Sequence, residues 1–395
     1  MQRVERHIII KDKQIDNLCY LSKNLYNYCN YAIRQHFFET SELLSEYGLT
    51  GKLAKEKQID YISLPAQSSQ QIIKLLFRNW KSFFKANKNF KNQPEKYMGK
   101  PKMPHYKHKE KGRNIIIFTN QQIVLKDGYV QFPKRANLNS VKTMVDNICQ
   151  VRIIPQYSCS IIEIVYNKEG DKHELNETLH LAIDPGVNNL ATCINDAGLK
   201  PFIINGRPLK SMNQYFNKVR AELMSFIGNR GTSNRIKALT FKRTNKVTDY
   251  LHKASRIIVN YCIENKIGTI VFGHNKGWKQ ETNMSKVNNQ NFVSIPIYKL
   301  LQMVAYKAEE VGIKFIDIEE SYTSKVDHLA LEPLKHQEKY FGKRVKRGLF
   351  KSSTGILFNA DVNGGIGILR KVVGDGFLSI LNRGDVSLPI KLDLI

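Results

Sequence analysis

No two of the six cysteines (Cys19, Cys29, Cys149, Cys159, Cys193, Cys262) are separated by only two residues. That spacing excludes a zinc ribbon built from Cys pairs. With no disulfide framework in view, the chain reads as a reduced, cytosolic protein. The opening MQRVERHIII is charged and turns polar straight afterwards, so it holds no secretory core, and nowhere does an apolar run reach the roughly 20 residues a membrane span needs. No internal repeat is visible. Acidic residues are the scarcest class that matters: 35 Asp and Glu against 61 Lys and Arg leave a net charge of +26. An ordinary neutral metabolic enzyme is thereby set aside, because so large an excess of one sign repels itself unless a polyanion offsets it, and the commonest polyanion is nucleic acid. A merely soluble basic protein is the plainer alternative. Hydrophobic residues make up 42% and aromatics 10%, enough for the cores of two or three domains.

Read along the chain, residues 4–10 pattern as a strand, and 12–94 as helices with apolar positions three and four apart. The clearest helix is 66–85. Ile72, Ile73, Leu76, Phe77, Trp80, Phe83 and Phe84 form its apolar stripe, while Gln70, Lys74, Arg78, Lys81 and Lys85 lie largely off it. Composition then shifts. Residues 81–113 carry eleven Lys or Arg against Glu95 and Glu110, with Phe90, Tyr97 and Tyr106 interleaved. Cations that neutralise phosphates and rings that stack on unpaired bases suit RNA or single-stranded nucleic acid, although a basic linker has the same composition. Short strand-like runs at 115–118, 128–132, 150–154 and 160–166 suggest a small β-barrel or sandwich, followed by a polar linker at 167–178. Beyond it the pattern becomes α/β: a hairpin of 180–183 and 190–195, a basic helical insertion at 209–265, strands at 269–272 and 314–318, and helices at 297–311 and 362–372.

Two aspartates stand where such a fold would present them. Asp184 ends the apolar run LAI just before a Pro-Gly turn, and Asp361 opens the helical run DVNGGIGILRK. Each has a local explanation, a turn for the first and a helix N-cap for the second. Together they match what a two-metal phosphodiester nuclease needs, several carboxylates from distant segments meeting at Mg²⁺ ions. Mg²⁺ prefers carboxylate and water oxygens, so the lack of Cys and His clusters is in keeping with it. A third acid is then required.

The segments AIDPGVNNLATCIND, NGRPLKSMNQYFNKVRAEL, KASR, IVFGHNKGWKQ, NNQNFVSIPIYKL, ESYTSK and NADVNGGIGILRK occur in this order, and the sequence resembles the TnpB family of transposon-encoded proteins related to type V CRISPR effectors. LPAQSSQQIIKLLFRNWKSFFK and GKPKMPHYK extend the resemblance over nearly the whole chain. It implies a multidomain protein of mixed α/β and β class. Residues 1–10 and 105–175 would form a wedge-like β-barrel, 11–104 a helical recognition domain, 178–372 a RuvC nuclease domain with a ribonuclease-H-like fold, and 373–395 a carboxy-terminal tail. The family uses a transposon-end RNA as guide and cuts double-stranded DNA beside a short adjacent motif.

Two departures from that family carry weight. Most relatives end the strand that here reads TIVFGHNK with a catalytic Glu, where this chain has Gly273 and His274. A neutral imidazole supplies no charge and is a poor Mg²⁺ ligand. Some relatives, including those of the Fanzor type, carry the acid two residues before Tyr-Thr-Ser instead, which maps onto Glu320. Glu319 is its neighbour and alternative, and strand periodicity does not choose between them because the strand could be buried on both faces. The second departure is the family's Cys ribbon before the final Asp: residues 325–358 contain no Cys, and Lys343, Arg344, Lys346, Arg347 and Lys351 crowd there instead. We expect a metal-free basic loop, in contact with nucleic acid or simply solvated.

The resulting expectation is an RNA-guided DNA endonuclease with Asp184, Glu320 and Asp361 holding Mg²⁺, for which Mn²⁺ could substitute, and with no zinc. Gln70, Lys74, Arg78, Lys81, Lys102, Lys107, Arg344 and Arg347 are its candidate nucleic-acid contacts, Gln and Arg being able to read adenine and guanine edges. Its partners would be the guide RNA and duplex DNA, with no membrane, in a prokaryotic cytoplasm and in association with the nucleoid. The alternatives are a nuclease-inactive relative that occupies DNA as a repressor, and a transposase that joins strands itself.

Overall fold

The computed structural model describes residues 1–10, 12–156, 159–274, 295–346 and 348–394. They fall into two units, Met1–Lys168 and Glu169–Ile395. No described helix is long and apolar enough to cross a membrane.

In the first unit, β1 (Gln2–Ile10) leads into α1 (Lys13–Thr40), α2 (Glu46–Lys55), α3 (Ile59–Ile62) and α4 (Ala66–Asn92). The strands β2 (Ile116–Thr119), β3 (Val124–Lys126), β4 (Tyr129–Gln131), β5 (Val141–Lys142), β6 (Ile148–Gln156) and β7 (Cys159–Asn167) follow. Asp12 caps α1 by accepting from the amides of Gln14 and Ile15. The α4 stripe is buried from Ile72 to Trp80 and half-buried at Phe83 and Phe84, with Trp80 at the centre of an aromatic group including Phe37, Phe83 and Phe84. The indole Nε1 donates to Asn30 Oδ1 on α1 at 3.0 Å. Instead of a closed barrel, the strands make a four-stranded antiparallel sheet in the order β1-β7-β6-β2 and a separate three-stranded sheet β3-β4-β5. Closure is unnecessary here, because α1 and α4 cover Ile116, Phe118, Val151 and Ile153 in one shared core.

The second unit is built on a six-stranded sheet. β8 (Asn176–Pro185), β9 (Asn189–Asn195) and β10 (Phe202–Asn205) form an antiparallel meander, followed by α5 (Arg207–Ser225) and α6 (Asn234–Glu264), which together make up the helical insertion. β11 (Ile267–Gly273), α7 (Ile297–Glu310) and β12 (Lys314–Ile318) come next. A small antiparallel sheet of β13 (Lys343–Lys346), β14 (Leu349–Lys351) and β15 (Leu357–Asn359) precedes α8 (Ala360–Val373). The basic segment is therefore folded where a loop was expected. The final residues, expected as a tail, form α9 (Arg383–Ser387) and β16 (Ile390–Leu392), which joins β10 in parallel at the sheet edge. The sheet order is β12-β11-β8-β9-β10-β16, with β8, β11 and β12 mutually parallel, which is the ribonuclease-H-like arrangement. Strand alternation assigns its two faces: Leu181 and Ile183 meet the core under α6 and α7, and Ala182 meets the core under α8.

Candidate active site

Open sheets with parallel strands place chemistry at the carboxyl ends of those strands. Register aligns three such ends: Ile183 pairs with Phe272, and Gly273 with Ile318. Asp184, two residues beyond Ala182, faces α8. The helix approaches it through Gly364, where a Cβ would lie 2.5 Å from Asp184 Oδ2, so any side chain at 364 would displace the carboxylate. Burial, then Glu320, then Asp361 push the Asp184 carboxyl well above the usual range, while Arg344 on β13 opposes the shift.

Glu320 follows the end of β12 and turns back toward the end of β11. A Cβ on Gly273 would stand 3.0 Å from Glu320 Oε2 and would collide with Ile368 Cδ1. The space beside residue 273 is thus already filled by another acid and by the core. Burial raises the Glu320 pKa to about 7 against the pull of Lys371. Glu319 is exposed, and its carbonyl accepts from Lys371 Nζ at 2.8 Å. His274 lies beside Asp317, Nδ1 to Oδ1 4.0 Å, with its ring 6.0 Å from that of Tyr298.

Asp361 occupies the first turn of α8. Asn359 caps that helix by accepting from the Asp361 and Val362 amides at 2.8 and 3.4 Å, which leaves the Asp361 carboxylate free of the capping role. Its Oδ2 accepts from Asn189 Nδ2 at 2.7 Å. Asn189 went unnoticed in the sequence, though it lies in the same DPGVNN run as Asp184. Among the described residues no three acidic, His or Cys side chains close on a single point as metal ligands. Asp184 is instead the shared member, repelled by Glu320 on one side and Asp361 on the other. The donor set fits a hard divalent cation, being all carboxylate oxygen, and cationic charge would relieve the repulsion that raises Asp184.

The segment between Glu320 and α8 encloses a buried polar cluster. Asp327 Oδ2 accepts from Ser352 Oγ, Ser353 N and Ser353 Oγ at 2.7 to 3.0 Å. Glu332 accepts from the amides of Asp327 and Phe341 at 2.7 and 2.9 Å. These bonds hold the small sheet to the preceding turn, a task that crosslinking by a metal performs in ribbon modules. His328 is buried in the same cluster, and desolvation lowers its pKa from 6.5 to about 4. The folded state therefore keeps the ring neutral where the unfolded chain would protonate it. Stability should be flat above pH 6.5 and fall as pH drops from 6.5 to 4, by up to about 3 kcal/mol. Thermal melts of wild type and His328→Gln from pH 8 to pH 4 check this: the wild-type advantage should shrink across that window alone.

The remaining candidate contacts are surface residues. Gln70, Lys74, Arg78 and Lys81 are exposed along one side of α4, and Lys102 and Lys107 are exposed in the segment that follows. That segment lies along α1 as an extended strap whose backbone is held by helix side chains. Asn30 Nδ2 and Arg34 Nη2 donate to Pro104 O at 3.0 and 2.7 Å, Asn27 bonds both the amide and the carbonyl of Lys107, and Lys23 Nζ donates to Lys109 O at 2.6 Å. With these backbone groups held by α1, Lys102 and Lys107 remain exposed, the Lys107 ammonium lying 5.2 Å from the centre of the Tyr26 ring. Arg344 is exposed on β13 yet acts on Asp184, and Arg347 lies outside the described residues.

Two family models match this chain: a probable transposase family, OrfB_IS605, over residues 163–279, and the TNB domain of Cas12f1-like proteins over 298–368. The chain is 24% identical to the TnpB-like protein ORF457 of Acidianus two-tailed virus, across 92% of this chain and 84% of the viral protein. The chain is similar to TnpB-like proteins along most of its length. The endodeoxyribonuclease Cas12f1 of Sulfoacidibacillus thermotolerans is 34% identical over 101 residues, 25% of this chain and 22% of that one. Among solved structures, the Cas12f1 chain of a complex with single guide RNA and target DNA superposes with a TM-score of 0.56 at 15% identity, over 90% of this chain and 81% of that chain. That likeness is one of fold. The matched models run through all three candidate carboxylates, Asp184 in the first and Glu320 and Asp361 in the second.

Proposed function

We propose that this TnpB-like protein is an RNA-guided DNA endonuclease whose second acid has moved from the end of β11 to Glu320. The observation that supports the reading is that Glu320, past the end of β12, and Asp361, at the start of α8, both act electrostatically on Asp184 at the end of β8, with Glu320 reaching the space beside Gly273. Mg²⁺, or Mn²⁺ in its place, would be held by Asp184, Glu320 and Asp361 and would supply activation of water and stabilisation of the leaving oxygen. The chain's own residues hold and orient the carboxylates: Asn189 fixes Asp361, and Gly364 admits Asp184 to the helix surface. Arg344 carries positive charge to the rim, where a scissile phosphate would lie. In this reading 1–10 and 105–175 supply the wedge module, 11–104 the recognition module and 178–372 the RuvC domain. Guide pairing gives sequence specificity, and the protein reads only a short motif in duplex DNA.

The test is cleavage of a matched duplex by the protein purified with its native RNA, with and without Mg²⁺. Cutting that needs both Mg²⁺ and the match supports the proposal. Tight binding to the matched target without cutting in any divalent metal would establish the repressor alternative instead. The surface assignments have their own test. Lys102→Gln and Lys107→Gln should weaken nucleic-acid binding across sequences, each lowering the slope of log affinity against log salt by about 0.7 to 0.9 if its partner is a phosphate. An unchanged slope removes that residue from the contact surface.

A further inference from the structure

Glu320 stands on irregular backbone just past the end of β12, a poor place for a group that chemistry needs held to within about half an ångström. Its carbonyl accepts from Thr323 N at 3.3 Å and from Thr323 Oγ1 at 2.8 Å. Thr323 is buried, and its own carbonyl meets His328 Nε2 at 2.7 Å. A carbonyl only accepts, so Nε2 carries the proton and Nδ1 is left as an acceptor. Arg370 Nη1, which only donates, lies 2.9 Å from Nδ1. Both ends of the ring thus demand the same tautomer. Arg370 is anchored in turn, through Nη1 to Glu332 O at 3.0 Å and through Nε to Asp375 Oδ1 at 2.7 Å.

The anchor is the helix that organises the other two acids. α8 carries Asp361, admits Asp184 at Gly364, and at Gly367 lets the His328 ring and Thr323 rest on its backbone, where a Cβ would stand 2.5 Å from Nε2 and 2.8 Å from Thr323 Cβ. Positions 361, 364, 367 and 370 recur every three residues, each step offset by about 60° around the helix, so that together they span about half its circumference and meet successive parts of the site. Resting on the reading of Glu320 as a metal-binding acid, we propose that His328 and Arg370 are positioning residues, acting through Thr323 to hold Glu320 in register with Asp184 and Asp361. A buried His and Arg are costly to desolvate, and an apolar side chain would fill the space without fixing any hydrogen-bond direction.

The experiment compares wild type, Glu320→Ala, Thr323→Val, His328→Leu and His328→Gln as complete RNA complexes. It measures single-turnover cleavage, target affinity, and Mn²⁺ binding by electron paramagnetic resonance referenced to Asp184→Ala. Thr323→Val and His328→Leu should slow cleavage roughly tenfold or more and weaken Mn²⁺ binding, with target affinity unchanged. His328→Gln keeps a donor toward Thr323 O and should recover most of the loss. Nitrogen-15 spectra of labelled histidine should show one neutral ring protonated at Nε2. Gln performing no better than Leu, or target affinity falling in step with cleavage, would reduce His328 to packing and overturn the proposal. The underlying reading fails separately: Glu320→Ala cutting at the wild-type rate removes Glu320 from the site and the proposal with it. If wild type does not cut, Mn²⁺ affinity alone decides: weakening by His328→Leu sustains the positioning role, and no weakening overturns it.

Discussion

Glu320→Gln should abolish cleavage while leaving target binding intact, and Glu319→Gln should change neither. Removing one carboxylate from a set that would share divalent ions is expected to cost on the order of a thousandfold in rate, about 4 kcal/mol of barrier. The two neighbours differ because Glu319 is exposed with its carbonyl tied to Lys371, whereas the Glu320 carboxylate turns inward to Gly273. A stability signature separates this from misfolding. The folded Glu320 carboxyl titrates near 7 against 4.5 for the ordinary group, so without metal its burial favours folding below pH 4.5 and that advantage is lost as pH rises through 7. At pH 8 the amide variant should therefore melt higher than wild type in chelator, by up to about 3 kcal/mol. Returning the acid to its common place should fail: Gly273→Glu would drive a side chain into Ile368 and set a second carboxylate against Glu320. Cleavage rates, target affinity and melting temperature for this set check the argument. A Glu320→Gln enzyme that cuts normally, with Glu319→Gln inactive, would reverse the assignment.

Gly364→Ala should disable the site without harming the fold. In an ordinary helix interior this change stabilises by up to about 1 kcal/mol. On α8 the new methyl would stand 2.5 Å from Asp184 Oδ2 and 3.2 Å from its Cγ, and the end of the Asp side chain is what can give way. A displacement of about 1 Å at the group shared by both halves of the site can cost about a hundredfold in rate. The adjacent glycine is the control. A Cβ at Gly365 would press on Ile194 Cγ1 at 2.6 Å, inside the core beneath the helix, so Gly365→Ala should lower stability by about 1 to 3 kcal/mol. Single-turnover rates and thermal melts of the two variants should therefore move in opposite order. Equal melting and equal cleavage for Gly364→Ala would mean that Asp184 needs no close approach to the helix.

Much of this architecture was readable in one dimension because it repeats or stands at boundaries. The α4 stripe follows helical spacing, and its residues from Ile72 to Trp80 are buried accordingly. The alternation of Leu181, Ala182 and Ile183 put adjacent residues on opposite cores, and Asp184 and Asp361 announced themselves at the end of a strand and the start of a helix. Signals of this kind are local, since side-chain direction follows from the backbone of the residue's own element. The same logic could not see that α1 and α4 cover an open sheet in place of a closed barrel, nor that the last residues return as β16 beside β10. Pairing between strands far apart in sequence leaves no mark in either strand.

At the site the division is sharper. The sequence by itself determined a basic chain with two well-placed aspartates, an acid missing at Gly273 and a pair of glutamates near the end of β12. Only the tertiary structure shows the Glu320 carboxylate turned toward Gly273 and Glu319 exposed, because the backbone leaves the strand after Ile318 and alternation stops applying there. It alone brought Asn189 to Asp361, Arg344 toward Asp184, and the sequence Arg370, His328, Thr323 to the carbonyl of Glu320. Apart from the short steps from His328 to Thr323 and from Thr323 to Glu320, those contacts join residues tens to well over a hundred positions apart. Their existence depends on where one helix crosses the parallel strands, which is fixed by packing against both and by no single segment's pattern.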